Sequence, residues 1–206
     1  MPFFESPFTR RTLLLGGCAA AVLLLATPFV ARAFVVPGAS MESTILVGDH
    51  LIVGRLHSPP RLGDLVSFHP PQSPEQSFIK RVAGLPGDRL HFVNKVLFRN
   101  GEAVNEPYVQ HSTSFVDPYR DNFPSEPNFP LPDSGKKMLA EHLVNGEIVV
   151  PAGCYFVLGD NRDNSLDSRY WGFVSETALQ GTPLMVYWSK DPNGGTRWSR
   201  TFQPLK

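Results

Sequence analysis

An uncharged stretch near the N-terminus constrains this chain more than any other feature. Residues 12–31 contain no charged side chain; two arginines precede the stretch and Arg32 follows it. Twenty helical residues span about 30 Å, the thickness of the hydrocarbon core of a bilayer. Because more positive charge lies before the stretch than after it, the N-terminus is expected on the cytoplasmic side. We therefore predict a cytoplasmic segment at residues 1–11, a transmembrane anchor at 12–33 in the lipid bilayer, and an extracytoplasmic remainder.

The same region also allows an alternative, a cleaved export signal. Residues 9–14 resemble a twin-arginine signal, and Ala31-Arg-Ala33 has the small residues of a cleavage site. The mature protein would then begin at Phe34. However, the uncharged stretch is longer than the apolar region of about 7–15 residues in a signal peptide, and Arg32 is unfavourable just before a cut. We favour the uncleaved anchor.

Residues 34–206 have the pattern of a mainly β domain. The chain has 20 prolines and 17 glycines, which favours short strands and turns over long helices. Asn100-Gly101 lies between two strand-like runs and predicts a hairpin, and Pro151-Ala-Gly153 predicts a turn. Helical periodicity is weak, at residues 136–144 and 175–179 only. Apolar runs predict strands at residues 51–53, 65–68, 78–82, 148–150, 155–158 and 182–188.

Residues 107–135 interrupt this pattern. They contain six prolines among serines, asparagines and aspartates, and they show little periodicity. We predict a loop-rich surface insertion that extends to residue 147, and we assign it no chemistry.

Charge and cysteine content argue against several classes of function. Lysine and arginine together balance aspartate and glutamate at 19 each, so no net charge attracts nucleic acid. The two cysteines, Cys18 and Cys154, form no metal or redox motif, and Cys18 lies in the uncharged stretch. We expect neither a disulfide nor a cofactor.

Three sequence blocks after the uncharged stretch carry a resemblance to a known family. The first is Val36-Pro-Gly-Ala-Ser-Met-Glu-Ser-Thr-Ile-Leu-Val-Gly-Asp49, the second is Phe78-Ile-Lys-Arg-Val-Ala-Gly-Leu-Pro-Gly-Asp88, and the third is residues 159–174. Together, in this order, they resemble the type I signal peptidases (leader peptidases). Those are membrane-tethered serine proteases that use a Ser/Lys dyad. The resemblance implies that Ser40 is the nucleophile and Lys80 the general base.

Elementary chemistry sets what Lys80 would need for this role. A free lysine has a pKa of about 10.4, and a working base needs a value roughly 2–3 units lower. The apolar neighbours Phe78, Ile79 and Val82 could lower it by desolvating the ammonium group. From spacing alone, Lys80 and Arg81 could instead be a solvated pair at the end of a strand. A histidine base also stays open, because triad partners meet only in space, but the histidines at 50, 57, 69, 91, 111 and 142 are scattered.

The third block also invites a metal-binding interpretation. Asp160, Asn164 and Asp167 loosely resemble a calcium loop. However, Arg162 occupies a ligand position and Ser165 stands where the glycine of the tight turn should be. We predict no metal site.

The resemblance implies other roles for the third block. Ser165 would accept a hydrogen bond from the Lys80 amine and orient it toward Ser40, and Asp167 would form an ion pair with Arg169 that shapes the site wall. A carboxylate beside the amine would raise its pKa, which is unfavourable for a base. The aspartates of the block are therefore expected to point away from Lys80.

The chain departs from the family pattern at two positions near Ser40. Many members have a serine two places before the nucleophile, whose hydroxyl joins the oxyanion hole, where this chain has Gly38. The backbone N–H of Ser40 is the remaining oxyanion donor. A proline that usually follows the Ser-Met pair is replaced by Ser43, and we expect a looser turn there.

Substrate binding is predicted beside the dyad. A protease can bind an extended peptide by adding it as a strand beside its own edge, and residues 34–39 and 77–80 are the candidate edges. Apolar side chains there could line shallow pockets that exclude large residues, although each could also be an ordinary core residue. The candidates are Phe34, Val36, Met41, Ile45, Phe78 and Ile79.

We therefore expect one transmembrane helix followed by an antiparallel β-sheet catalytic domain of signal-peptidase type. The expected function is a serine endopeptidase that cleaves signal peptides from exported preproteins at the outer face of a bacterial plasma membrane. Two alternatives stay open: a maturation peptidase for a single substrate, of pilin or conjugation type, and a relative that binds signal peptides without cutting them.

Overall fold

Thirteen strands and two α-helices make up the described part of the chain, residues 31–205 of this computed structural model. The first strands are β1 Ala31–Val35, β2 Asp49–Gly54, β3 Leu65–Phe68, β4 Phe78–Gly84, β5 Arg89–Val93, β6 Val96–Arg99 and β7 Glu102–Ala103. The later strands are β8 Leu143–Val144, β9 Glu147–Val149, β10 Cys154–Leu158, β11 Val174–Ser175, β12 Leu179–Ser189 and β13 Gln203–Pro204. The helices are α1 Asp133–His142 and α2 Ser168–Trp171.

These strands form two antiparallel sheets within the described residues. The larger has 8 strands in the order β1-β2-β12-β3-β4-β10-β11, with β13 paired to β12. The smaller has 5 strands in the order β7-β6-β5-β9-β8. The mainly β architecture is confirmed, and so are the six predicted strand regions, which fall in β2, β3, β4, β9, β10 and β12.

The strands β3 and β4 lie at the centre of the larger sheet and are buried on both faces. All four residues of β3 and six of the seven in β4 are buried. Strands that are covered on both faces do not alternate between apolar and polar residues, which explains why only short apolar runs mark them in the sequence. The alternative in which Lys80 and Arg81 are a solvated pair is therefore wrong, since they are only 3% and 4% exposed.

The turns explain where the predicted boundaries held and where they failed. Asn100 and Gly101 have φ values of 55° and 86°, as a hairpin turn with two left-handed residues requires, so that hairpin is confirmed. Asn145 and Gly146 have φ values of 53° and 80° and join β8 to β9. The predicted helix at 136–144 therefore ends at His142. The helical prediction at 175–179 is wrong, because a 3₁₀ turn between β11 and β12 occupies that stretch.

The insertion at 107–147 is part of the core, contrary to the prediction of a surface loop. Its residues Tyr119 and Phe123 are fully buried and pack against the smaller sheet and β10. The N–H of Phe92 in β5 donates to the carbonyl of Phe123 at 2.6 Å. Prolines prevent regular strands here, but they do not prevent extended chain from covering a sheet.

The predicted membrane segment lies mostly outside the described residues. Of the anchor at 12–33, only residues 31–33 are described; they begin β1, where Arg32 pairs with Val53 of β2. The cytoplasmic segment 1–11 also lies outside them. Between residues 31 and 205, no helix is both long and apolar enough to cross a membrane.

Candidate active site

Ser40 lies in a tight turn that follows β1. The N–H of Glu42 donates to the carbonyl of Ala39 at 3.1 Å, and the N–H of Ile45 donates to that of Met41 at 2.8 Å. Met41 and Ile45 are buried in the core beside β1 and β2. Because its two apolar side chains anchor the turn, Ser40 is held half-buried and facing the cavity described below.

Lys80 reaches Ser40 from the middle of β4. Lys80 pairs in register with Val66 of β3, and its Nζ lies in a short hydrogen bond of 2.5 Å to Ser40 Oγ. The ring of Phe78 lies 5.9 Å from Nζ. Among the described residues, no histidine forms a hydrogen bond with Ser40, so the structure brings together the predicted pair rather than a Ser-His pair.

Burial increases the fraction of Lys80 that is neutral, and so able to accept a proton, at neutral pH. Desolvation is the main cause that lowers the pKa of Lys80 to about 8. The negative charge of Asp167 raises the pKa, and the positive charge of Arg169 lowers it. Desolvation therefore supplies the shift, as the apolar neighbours of Lys80 suggested.

The carboxylates of the third block are bound to other cations. Asp167 Oδ2 accepts from Arg169 Nη2 at 2.8 Å, so the structure contains the ion pair that the resemblance implies. Asp160 pairs with Arg81, and Asp163 pairs with Lys95. Across residues 31–205, no carboxylate forms an ion pair with Lys80.

The Asp167–Arg169 pair also fixes the local backbone. Asp167 is the N-cap of α2, where Oδ1 accepts from the N–H of Arg169 at 3.3 Å, and Oδ2 accepts from the N–H of Gly159 at 3.1 Å. Arg169 Nη2 also donates to the carbonyl of Arg162 at 2.8 Å. Arg169 lowers the pKa of Asp167 although burial alone would raise it. The pair therefore stays ionised inside the protein.

Ser165 reaches the site but does not make the expected hydrogen bond. Its Oγ is buried and, in the described part of the chain, has no hydrogen-bond partner. It lines a cavity together with Ser40 and Lys80. The expected bond to Lys80 is absent because Nζ is directed to Ser40 Oγ instead.

A buried network next to the dyad was missed by sequence reasoning. Arg81 Nε and Nη2 donate to the two oxygens of Asp160 at 2.9 and 2.7 Å. Thr44 Oγ1 donates to Asp160 Oδ2 at 2.5 Å, and Arg81 Nη1 donates to the carbonyl of Gly63 at 2.7 Å. The network joins the turn after Ser40 to β4 and to the third block. Two sequence features could have indicated this network: the arginine directly after Lys80 and the Gly-Asp-Asn-Arg run that begins at residue 159.

Ser43 does not loosen the turn, contrary to expectation. Its φ is 84°, which a proline, with φ fixed near about −65°, cannot adopt. Its Oγ donates to the carbonyl of Tyr108 at 2.5 Å. The ring of Tyr108 stacks on the guanidinium of Arg81 at 3.9 Å. The insertion is thereby attached to the turn that carries Ser40.

An apolar cavity of about 580 Å³ adjoins the dyad. Its walls come from β1, the Ser40 turn and the start of β4, with Gly38 at the rim. Within the described residues, the outer edge of β1 is unpaired, and β4 pairs with β10 only from Arg81 onward. The cavity contains all six predicted substrate-binding residues: Phe34, Val36, Met41, Ile45, Phe78 and Ile79.

A second cavity, of about 630 Å³, adjoins the first at the dyad. Ser40, Lys80 and Ser165 contribute to it, and Phe129 of the insertion forms part of its wall. Sequence reasoning assigned the insertion no chemistry, because aperiodic, proline-rich chain gives no indication of what it packs against.

Comparisons with known proteins agree with this arrangement. The family profile described as "Signal peptidase, peptidase S26" matches residues 9–188. The chain is 39% identical over 177 residues to signal peptidase I of Bacillus caldolyticus, which covers 83% of this chain and 85% of the relative. It is 31% identical over 207 residues to signal peptidase I of Aquifex aeolicus, and the match covers 81% of this chain and 79% of that relative. It is 30% identical over 213 residues to probable signal peptidase I-1 of Synechocystis, and the match covers 97% of this chain and 92% of that relative.

Proposed function

The chain belongs to the signal peptidase family, peptidase S26, and on that premise we propose that it is a serine endopeptidase that removes signal peptides from exported preproteins. The main support is the 2.5 Å hydrogen bond between Ser40 Oγ and the buried Lys80 Nζ at an apolar cavity. An intact nucleophile and base argue against the alternative of a relative that binds signal peptides without cutting them. The relatives compared above are named signal peptidase I, which does not favour a single-substrate maturation enzyme.

The mechanism begins with proton transfer from Ser40 to Lys80. With a pKa of about 8, roughly a tenth of the lysine is neutral at pH 7, compared with ~0.04% of a free lysine. Neutral Nζ takes the hydroxyl proton while Oγ attacks the scissile carbonyl. The Lys80 ammonium then protonates the leaving amine of the substrate. In the second half of the reaction, neutral Lys80 deprotonates a water molecule that hydrolyses the acyl-enzyme, and the proton returns to Ser40 Oγ.

The oxyanion of the tetrahedral intermediate would form beside the backbone of Ser40. Its N–H makes no hydrogen bond within residues 31–205, so it is available as a donor. Gly38 has no side chain to supply a second donor. We therefore propose the Ser40 N–H as the principal oxyanion donor.

Gly38→Ser is expected to retain or raise the turnover number. A Cβ at Gly38 would have no neighbour within 4 Å, and a hydroxyl there can reach the developing charge. A well-placed oxyanion donor is worth up to about 3–4 kcal/mol in the transition state. Steady-state cleavage of a preprotein measures the effect.

Gly159→Ser is the control for steric disruption, because a Cβ there would collide with Ser165 Oγ and the Ser40 carbonyl. A loss of more than about tenfold in Gly38→Ser would mean that the oxyanion hole is built otherwise.

The substrate is proposed to lie as an extended strand in the first cavity. The free edges of β1 and of residues 78–80 face it and can bind the peptide backbone. Phe34, Val36 and Ile79 would then limit the side chains before the cut to small ones.

Ser165 is proposed to orient the lysine later in the reaction. A buried hydroxyl without a partner is rare and calls for one. When the Lys80 ammonium turns from Ser40 to the leaving amine, Ser165 Oγ can accept a hydrogen bond without adding charge. Asp167 and Arg169 would hold the wall from which Ser165 projects.

We also propose that the uncharged stretch before β1 anchors the enzyme in the bacterial plasma membrane, with the N-terminus cytoplasmic and the catalytic domain outside; the predicted anchor at 12–33 is shortened at its end because residues 31–33 belong to β1. The support is the uncharged length of residues 12–31 and the arginines before it. Such an anchor would bring the active site to the membrane surface, where the apolar part of a signal peptide also resides.

Cleavage of a purified preprotein by the detergent-solubilised full chain tests the proposed function. We expect one cut, after a small residue, with kcat/KM rising with pH through an inflection near 8, where Lys80 loses its proton. Mass spectrometry of the product and a pH profile measure both. An inflection near about 6.5 would point to a histidine base instead, and intact preprotein would contradict the function itself.

A further inference from the structure

The second cavity at the dyad is partly built by the insertion, and this gives it a role in substrate choice. Phe129 of the insertion and Leu166 of the third block line it, 36% and 65% exposed respectively. We propose that Phe129 and Leu166 form a subsite for a large apolar side chain among the first residues after the scissile bond. The inference rests on the proposed peptidase function and extends it to the mature end of the preprotein.

The position of the cavity identifies its occupant. A peptide cleaved at Ser40 must continue past the dyad in both directions. The first cavity lies along β1, which leads back to the uncharged stretch at 12–31, and therefore suits the signal-peptide side. The second cavity shares Gly38, Ser40, Phe78 and Lys80 with the first, and most of its other lining residues come from the third block and the insertion. It is therefore the space left for the residues that follow the cut.

Phe129 is a fixed wall of this cavity rather than the tip of a free loop. Its ring centroid lies 5.4 Å from that of Tyr119 and 5.2 Å from that of Tyr170. The hydroxyl of Tyr119 donates to the carbonyl of Arg169 at 2.7 Å. The insertion is thereby attached to the third block beside the dyad, and a wall held this way can discriminate by shape.

The two aspartates that line the cavity already accept hydrogen bonds from other groups of the protein. The subsite is therefore expected to select a substrate side chain by its size and not by its charge. Asp117 Oδ1 accepts from the N–H groups of Tyr119 and Arg120 at 3.0 and 2.7 Å. Asp163 accepts from Lys95 Nζ at 3.0 Å and from the N–H of Thr113 at 2.9 Å. The surfaces left for a substrate side chain are those of Phe129, Leu166 and the nearby aromatic rings.

The test compares preproteins that are identical up to the cut and differ only in the next three residues. The reference preprotein has only Ser and Gly at these three positions, and each of the others carries a single Leu or Phe at one of them. We expect the best apolar substrate to have a kcat/KM about tenfold higher, as partial burial of such a side chain predicts. In Phe129→Ser and Leu166→Ser, which remove apolar wall from two different elements, this ratio should fall toward one. Phe115→Ser is the matched control, because Phe115 is in the same insertion, 63% exposed and outside the cavity lining.

Each outcome bears on a different statement. A ratio that falls in both wall variants but not in Phe115→Ser supports the subsite. A wild-type ratio near one, or a ratio unchanged in both wall variants, overturns the subsite while cleavage itself continues. If the wild-type chain cleaves none of the preproteins, the proposed peptidase function fails and the subsite fails with it. Preserved thermal unfolding of the variants shows that a lower ratio comes from the wall and not from misfolding.

Discussion

Replacing Ser40 or Lys80 with alanine is expected to reduce kcat/KM for a preprotein at least ~10⁴-fold, because a nucleophile and its base act as a unit. Ser40→Ala removes the attacking oxygen, and Lys80→Ala removes the proton acceptor that lies 2.5 Å from it. The double variant should be no slower than either single variant. Lys80→Arg should fail as well, since a guanidinium does not give up its proton.

These variants should remain folded, which separates lost chemistry from lost structure. The folded pKa of Lys80, about 8, lies below its ordinary value of 10.5, so burying the ammonium costs about 3 kcal/mol at pH values below 8. This cost falls as the pH rises above 8 and is gone above the ordinary value of 10.5. Lys80→Met, which removes the charge and keeps the volume, should therefore be at least as stable as the wild type. Lys136→Ala, at an exposed lysine of α1, is the control for activity. Near-normal cleavage by Lys80→Ala would contradict the Ser40–Lys80 mechanism.

The dyad could be predicted because the sequence blocks that contain Ser40 and Lys80 resemble those of a known family, whereas their spacing alone left the role of Lys80 open. The apolar neighbours of Lys80 suggested that it could be desolvated, but the extent of its burial could not be predicted from them. An apolar run of two or three residues does not indicate that β4 is central and covered on both faces. That depends on β3 and β10, which pair with β4 from elsewhere in the chain.

The insertion shows the limit of periodicity as a guide. Tyr119, Phe123 and Leu131 are buried, but they lie among six prolines and many polar residues with little overall periodicity, so the segment was assigned to a surface loop. Their partners in the smaller sheet are specified by tertiary packing alone. The same limit concealed Phe129 at the second cavity. The hydroxyl of Ser165 has no hydrogen-bond partner between residues 31 and 205, although the resemblance implied a bond to Lys80, since resemblance does not fix where the Lys80 amine points.

The buried Asp167–Arg169 pair is expected to contribute strongly to the stability of the protein. Arg169→Met should lower the free energy of unfolding by about 3–5 kcal/mol, because it leaves a fully buried carboxylate without its cation. Arg169 also lowers the pKa of Lys80, and Asp167 raises it. Arg169→Met should therefore move the inflection of the pH profile upward, while Asp167→Asn should move it downward. Urea denaturation in detergent and the pH dependence of kcat/KM measure the two effects.

A double variant and a surface pair separate this interpretation from general damage. Asp167→Asn with Arg169→Met removes both charges, so its loss of stability should be smaller than the sum of the single losses. Lys137→Met is the control, because the Lys137–Glu141 pair on α1 has an N–O distance of 4.0 Å and exposed fractions of 71% and 54%. Such a surface pair contributes about 0.5 kcal/mol or less. If Arg169→Met costs no more than Lys137→Met, or if both single variants move the inflection in the same direction, the pair neither stabilises the site wall nor tunes Lys80.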